Sequence, residues 1–145
     1  MRIIKAGKED ADALIGLVLS LAQYEHLEPP NDEAVERLKS DLNVRYESFL
    51  AFDGSKAVGY AMFYYTYSSF LARPTLYLED IFVLGEHRKE GIGKALFDSC
   101  VREAKEKGCG RMDFVVLDWN SSAQRFYERA GAKAMKEWIL YRLSL

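Results

Sequence analysis

The stretch Arg88-Lys89-Glu90-Gly91-Ile92-Gly93-Lys94 follows an apolar, strand-like run and opens a helical pattern in which Ile92, Leu96 and Cys100 recur every fourth residue. The first amides of a helix have no acceptor inside it, and its dipole adds partial positive charge there, so a glycine-lined entry of this kind suits a diphosphate. Two phosphate loops fail on spacing. A nucleoside-triphosphate loop needs a glycine five residues before Gly93 and a Ser or Thr after Lys94, but Arg88 and Ala95 stand there. A dinucleotide fingerprint needs Gly or Ala three residues after Gly93, where Leu96 stands, and belongs to the first strand–helix unit of its fold. The plain structural alternative is that the two glycines only shape a tight turn.

Upstream, Thr75 to Val83 reads as a strand whose apolar run is interrupted by Glu79-Asp80. Neighbours on a strand point to opposite faces, so at least one of these carboxylates is expected to be buried or to face a cleft. It then either closes an ion pair or caps a loop, or it accepts a substrate proton or binds a cation. Phe49 to Phe52, the Asp53-Gly54 turn and Ala57 to Tyr67 predict an antiparallel hairpin. Before it come a short strand at residues 2–5, an amphipathic helix from Lys8 to about Tyr24, and a charged helix through Leu42 capped by Asn31 or Asp32. After the glycine turn the pattern predicts a helix from Gly91 to Lys107 and a buried strand from Arg111 to Leu117. A helix capped at Asn120-Ser121-Ser122 and stopped by Gly131 follows, then a closing strand from Lys136 to Leu143. Tyr127 shares that last helix's apolar face with Ala123, Phe126 and Ala130, and its hydroxyl needs a partner, whether in the core or on a cleft ligand. The expected fold is α/β (α+β): one domain over 1–145, with a mixed, largely antiparallel sheet and helices on both faces.

The 145 residues are 49% hydrophobic and 29% charged, which excludes disorder as the main state. Lys and Arg total 20 against 22 Asp and Glu, a net charge of −2, so no global positive field favours nucleic acid. No apolar run reaches the ~20 residues that cross a bilayer, and the amino terminus carries no signal-peptide core, so a cytoplasmic location is expected. Cys100 and Cys109 are too few for a disulfide framework and wrongly spaced for zinc, and His26 and His87 form no metal motif. No metal is expected.

Taken in order, the Glu79 strand, the Arg-x-x-Gly-x-Gly turn from Arg88 to Gly93, and Asn-x-x-Ala-x-x-Phe-Tyr-x-x-x-Gly from Asn120 to Gly131 resemble the GNAT superfamily of acyl-CoA N-acyltransferases. Leu21-Ala22-Gln23-Tyr24-Glu25, Tyr65-Thr66-Tyr67, Leu76-Tyr77-Leu78-Glu79-Asp80 and Trp119-Asn120 are similar to its diamine (spermidine/spermine) and thialysine acetyltransferase group. The resemblance implies acetyl transfer from acetyl-CoA to a primary amine of a small molecule. It places the pantetheine arm on the backbone of Ile81, Phe82 and Val83, splayed by a bulge. The pyrophosphate falls to Arg88, Lys89, Glu90, Gly91, Ile92, Gly93 and Lys94, and the cofactor's other side to Asn120, Ser121, Ser122, Ala123 and Tyr127.

An alkylammonium with a pKa near ~10.4 must lose a proton before it attacks, which makes Glu79 the expected base. Tyr127 is then the acid for the thiolate, and an amide near Ile81 meets the oxyanion. Tyr24, Glu25, Glu79, Asp113 and Glu137 are the expected acceptor contacts. Ser68-Ser69 stands where polyamine-specific members carry an acidic residue, which favours a smaller, lysine-like acceptor, and Lys89 replaces the group's usual glycine. The resemblance also implies a homodimer paired through the C-terminal strand region. The alternatives are acetylation of a protein or peptide amine, and a non-catalytic CoA-binding regulatory domain.

Overall fold

A computed structural model describes residues 1–145. The chain falls into two compact units, Met1–Phe114 and Val115–Leu145. In chain order the first holds β1 (Arg2–Lys5), α1 (Ala11–Glu25), α2 (Asp32–Asp41), β2 (Glu47–Asp53), β3 (Lys56–Ser68), β4 (Arg73–Val83), α3 (Ile92–Glu106) and β5 (Arg111–Asp113). The strands form one sheet in the order β1-β2-β3-β4-β5, with β4–β5 the single parallel pairing. This is the mixed, largely antiparallel sheet that the sequence predicts.

Each face of the sheet carries helix. Leu14, Leu17 and Leu21 of α1 recur at helical spacing and pack into one core cluster with Leu50 and Phe52 of β2, Tyr60 and Met62 of β3, and Phe82 of β4. Full burial of such a side chain stabilises the fold by about 1.5–3 kcal/mol. The opposite face meets α3, where the Tyr65 hydroxyl donates to Glu103 Oε2 at 2.9 Å. Helix starts follow capping chemistry: Asn31 Oδ1 accepts from the Ala34 amide at 2.9 Å, and the Gly7 amide donates to Asp10 Oδ2 at 2.9 Å just ahead of α1.

Two strand expectations are corrected. The sequence reads Arg111 to Leu117 as buried strand, but only Arg111–Asp113 pairs, opposite Thr75–Tyr77, and Val115 is exposed. β5 is the edge of the sheet, so nothing extends its ladder on the other side. Lys136 to Leu143 forms no strand at all, because it has no neighbour to pair with, and Trp138, Ile139, Leu140 and Tyr141 are exposed.

The second unit carries α4 (Ser121–Arg129). Asn120 Oδ1 accepts from the Ala123 amide at 3.2 Å, as its capping position predicts. At the far end the Ala132 amide donates to Tyr127 O and the Gly131 amide to Glu128 O, a Schellman stop that places Gly131 at φ +98°.

Candidate active site

The site of the first unit begins with a register slip. Met62 of β3 faces Asp80, while the next residue, Phe63, faces Leu78, so Glu79 is the extra residue of a β-bulge. An inserted residue resets the alternation of side chains. Glu79 and Asp80 therefore do not point to opposite faces as strand alternation predicts. The Tyr60 hydroxyl donates to Asp80 Oδ2 at 2.8 Å and the Tyr64 hydroxyl to Glu79 Oε1 at 3.1 Å. Tyr60 and Tyr64, four residues apart on β3, share one face, and both carboxylates lie on it. The resemblance expects the bulge to splay Ile81–Val83, but those residues pair in regular register with Gly59–Ala61 and the bulge lies upstream, at Glu79.

The electrostatics of this face are one-sided. Burial pushes the Asp80 carboxyl up to about 6, helped by the negative charges of Glu79 and Glu25 and opposed by the Tyr60 hydrogen bond. Burial also raises Glu25 at the end of α1. Tyr64 is pushed up to about 12 by burial and by Glu79, and Tyr77 rises through burial and the charges of Glu79 and Asp113. None of the ion pairs in the structure involves Glu25, Glu79 or Asp80. Asp80 and Glu25 are partly buried and Glu79 beside them is exposed, and carboxylates without a countercharge attract a cation and can take a proton from it.

The neighbouring backbone suits an extended thioester arm and a diphosphate. β5 pairs only with Thr75–Tyr77, so from Leu78 to Val83 that edge of β4 carries no strand. Beyond it, Arg88 and Lys89 enter the turn into α3, with Lys89 at φ +66° and Gly91 at φ +81°. The helix's first backbone bond runs from the Ala95 amide to Gly91 O at 3.0 Å, which leaves the amides of Ile92, Gly93 and Lys94 without helical acceptors. Lys94 Nζ pairs with Asp98 within α3, and Glu90 lies 3.5 Å from the His87 ring nitrogen. The chemistry of these groups fits an anionic cofactor held by backbone amides.

The first unit thus brings Tyr24, Glu25 and Glu79 near Phe82 and Asp80 of β4 and the Arg88–Lys94 turn, while Asp113 is exposed on β5 opposite Tyr77, 3.5 Å from Arg111. Asn120 caps α4 of the second unit and Ser121, Ser122, Ala123 and Tyr127 lie on it, with the Tyr127 ring edge-on to Phe126 at 5.3 Å, and Glu137 is exposed there. Tyr60, Tyr64, Tyr77 and the location of Asp80 escape the sequence reading. The signal was present as Tyr60-x-x-x-Tyr64, an even spacing on a strand, but it counts only once the bulge is known. Tyr65 of the Tyr-x-Tyr stretch faces α3 instead, and Ser68 Oγ accepts from the Leu71 amide at 3.1 Å, so it shapes the β3–β4 hairpin.

Comparison with known proteins agrees with this geometry. Residues 12–132 match the acetyltransferase (GNAT) family. The chain is 33% identical over 147 residues to thialysine N-epsilon-acetyltransferase of Sus scrofa, covering 93% of this chain and 86% of that one. It is 43% identical over 86 residues to L-ornithine N5-acetyltransferase of Arabidopsis thaliana, but there the match covers 59% of this chain and only 38% of the relative. A solved structure described as a probable acetyltransferase superposes with a TM-score of 0.88 at 24% identity, over 100% of this chain and 98% of that one, which shows the fold. With the bulge, the open β4 edge and the glycine turn in place, the chain belongs to the GNAT family and is an N-acetyltransferase that takes its acetyl group from acetyl-CoA.

Proposed function

We propose that residues 1–145 act as one domain that acetylates the terminal amine of a small, cationic aminoalkyl acceptor of the thialysine or ornithine kind. The observation that carries this reading is the bulge at Glu79, which seats two carboxylates and the hydroxyls of Tyr60 and Tyr64 on one face with no cation among them. The names of the relatives, which concern thialysine and ornithine, support the same acceptor class.

In this mechanism the acceptor's ammonium gives a proton to Glu79, and the freed nitrogen lone pair attacks the thioester carbonyl carbon. The carbon–sulfur bond breaks as the tetrahedral intermediate collapses. The nitrogen's remaining excess proton passes to the Tyr127 phenolate, which has given its own proton to the departing thiolate, and Glu79 then releases its proton to solvent. Amides on the open β4 edge near Ile81 meet the oxyanion. Family membership supports Tyr127 as the acid, through the Asn-x-x-Ala-x-x-Phe-Tyr segment. Acceptor contacts fall to Tyr24, Glu25 and Asp113, with Glu137 a further one. A homodimer is proposed because Trp138, Ile139, Leu140 and Tyr141 are exposed apolar side chains in need of cover. Two free cysteines fit a reducing, cytoplasmic setting.

The test is thiol release from acetyl-CoA with thialysine, ornithine, lysine, putrescine, spermidine and an N-terminal peptide. The proposal expects the amino-acid amines to turn over fastest. Preference for polyamines would move the acceptor class, and preference for the peptide would overturn it. Tyr127→Phe is expected to slow turnover at least tenfold, with acetyl-CoA binding retained.

A further inference from the structure

Arg88 opens the cofactor turn, yet its side chain is committed elsewhere. The guanidinium carbon lies 4.3 Å from the centre of the Tyr24 ring and 5.5 Å from that of Phe82, while Nε donates to Val83 O at 3.0 Å. The Tyr24 and Phe82 rings are themselves 6.0 Å apart. A cation over an aromatic face is attracted by the ring's quadrupole, and the flat guanidinium fits that face better than an ammonium does. One side chain therefore ties three places together: the turn before α3, the end of β4 and the last turn of α1. The residue after Tyr24 is Glu25, raised by burial and felt by Asp80, and the chain then leaves α1 through His26 in the left-handed region at φ +57°.

We propose that Arg88 is a positioning residue that couples the two substrates: stacked on Tyr24, it passes the ordering of the cofactor turn to the acceptor-binding end of α1. The inference rests on the reading above, in which the turn holds the diphosphate of acetyl-CoA and Glu25 lies on the amine side. When the diphosphate fixes the turn, Arg88 is fixed over Tyr24, and Glu25 is held where an ammonium needs it. In this proposal the diphosphate narrows the motion of the turn and so raises the share of molecules in which the stack is closed. Such coupling is reciprocal, so each ligand tightens the other by the same factor, here about tenfold.

Two measurements on the full chain test this. Titration calorimetry gives the Kd of thialysine with and without saturating CoA, which lacks the acetyl group and so permits no turnover. In the wild type CoA is expected to tighten thialysine about tenfold. Arg88→Gln, which keeps a donor for Val83 O but not the cation, and Tyr24→Leu are each expected to reduce that factor below about twofold, while Tyr24→Phe preserves it. The double variant Arg88→Gln/Tyr24→Leu should lose no more than either single one.

Hydrogen exchange at the amides of His26 and Leu27 provides a readout that needs no amine. CoA is expected to slow exchange there in the wild type and not in Arg88→Gln. Equal thialysine affinity with and without CoA would overturn the proposal. So would an Arg88→Gln variant that weakens CoA itself while keeping the coupling, since the guanidinium would then act on the diphosphate. Absence of binding by every amine tried, with the exchange effect intact, would overturn the acceptor reading and leave the link from turn to helix standing.

Discussion

The two faces of β3 each bring a tyrosine hydroxyl to a carboxylate, and they treat that carboxylate in opposite ways. On the α3 face Tyr65 donates to Glu103 at 2.9 Å, and Lys5 Nζ lies 3.0 Å from the same carboxyl and 2.8 Å from Glu47. Burial pushes Glu103 up, but the hydrogen bonds and charge of its partners outweigh it and hold the group below the usual carboxylate range. On the α1 face Tyr60 donates to Asp80 at 2.8 Å, no cation approaches, and burial prevails, lifting Asp80 to about 6. A paired carboxylate fastens a helix to a sheet. A carboxylate left without a cation costs stability and is available to a cationic substrate, and Glu79 beside Asp80 shares that availability.

The largest expected effect follows from removing the open carboxylate. Glu79→Gln should lower kcat/KM for the amine by about 10²–10⁴-fold in a thiol-release assay, with a urea midpoint close to that of the wild type. Glu103→Gln should do the reverse. It leaves Lys5 with one partner and costs about 2 kcal/mol in urea unfolding, while turnover per folded molecule stays within about threefold. If Glu103→Gln lost activity and kept stability, the contrast between the faces would be broken.

A smaller effect separates the faces by pH. Because Asp80 has a higher pKa folded than its ordinary 3.8, the folded state holds that proton more tightly than the unfolded one does. The group's stabilising contribution is full below about 3.8 and is lost as pH rises through about 6. Asp80→Asn should therefore be more stable than the wild type by about 1–2 kcal/mol at pH 8, with the gap closing towards pH 4. The smallest effect sharpens the comparison further. Tyr60→Phe and Tyr65→Phe each remove a hydrogen bond worth about 1 kcal/mol, but only Tyr60→Phe should move the pH range over which the Asp80-linked stability is lost, and upward, since the lost bond favoured the ionised Asp80.

Local physics made most of the fold legible. Asn31 and Asn120 announce helix starts, Gly131 announces a stop, the period of α1 announces its buried face, and Asp53-Gly54 announces a hairpin. The glycine turn and the Glu79-Asp80 pair were legible as candidate chemistry for the same reason. What escaped depends on neighbours distant in sequence. Residues 111 to 117 look like a full strand until β4 proves able to pair with only three of them, and the closing strand at 136–143 has no partner that its own sequence could supply. The facing of Glu79 depends on a register slip against Met62 and Phe63, which strict alternation along β4 cannot reveal. Tyr60 and Tyr64 look like core aromatics for the same reason, and Lys5 with Glu103, 98 residues apart, carries no local signal.

The most direct measurement compares Glu79→Gln and Glu103→Gln with the wild type in one assay: kcat/KM for thialysine with saturating acetyl-CoA at pH 8, normalised to folded protein. The account predicts a loss of at least about 100-fold for Glu79→Gln and less than about threefold for Glu103→Gln. Equal losses, or the larger loss in Glu103→Gln, would contradict the assignment of chemistry to the α1 face of the sheet.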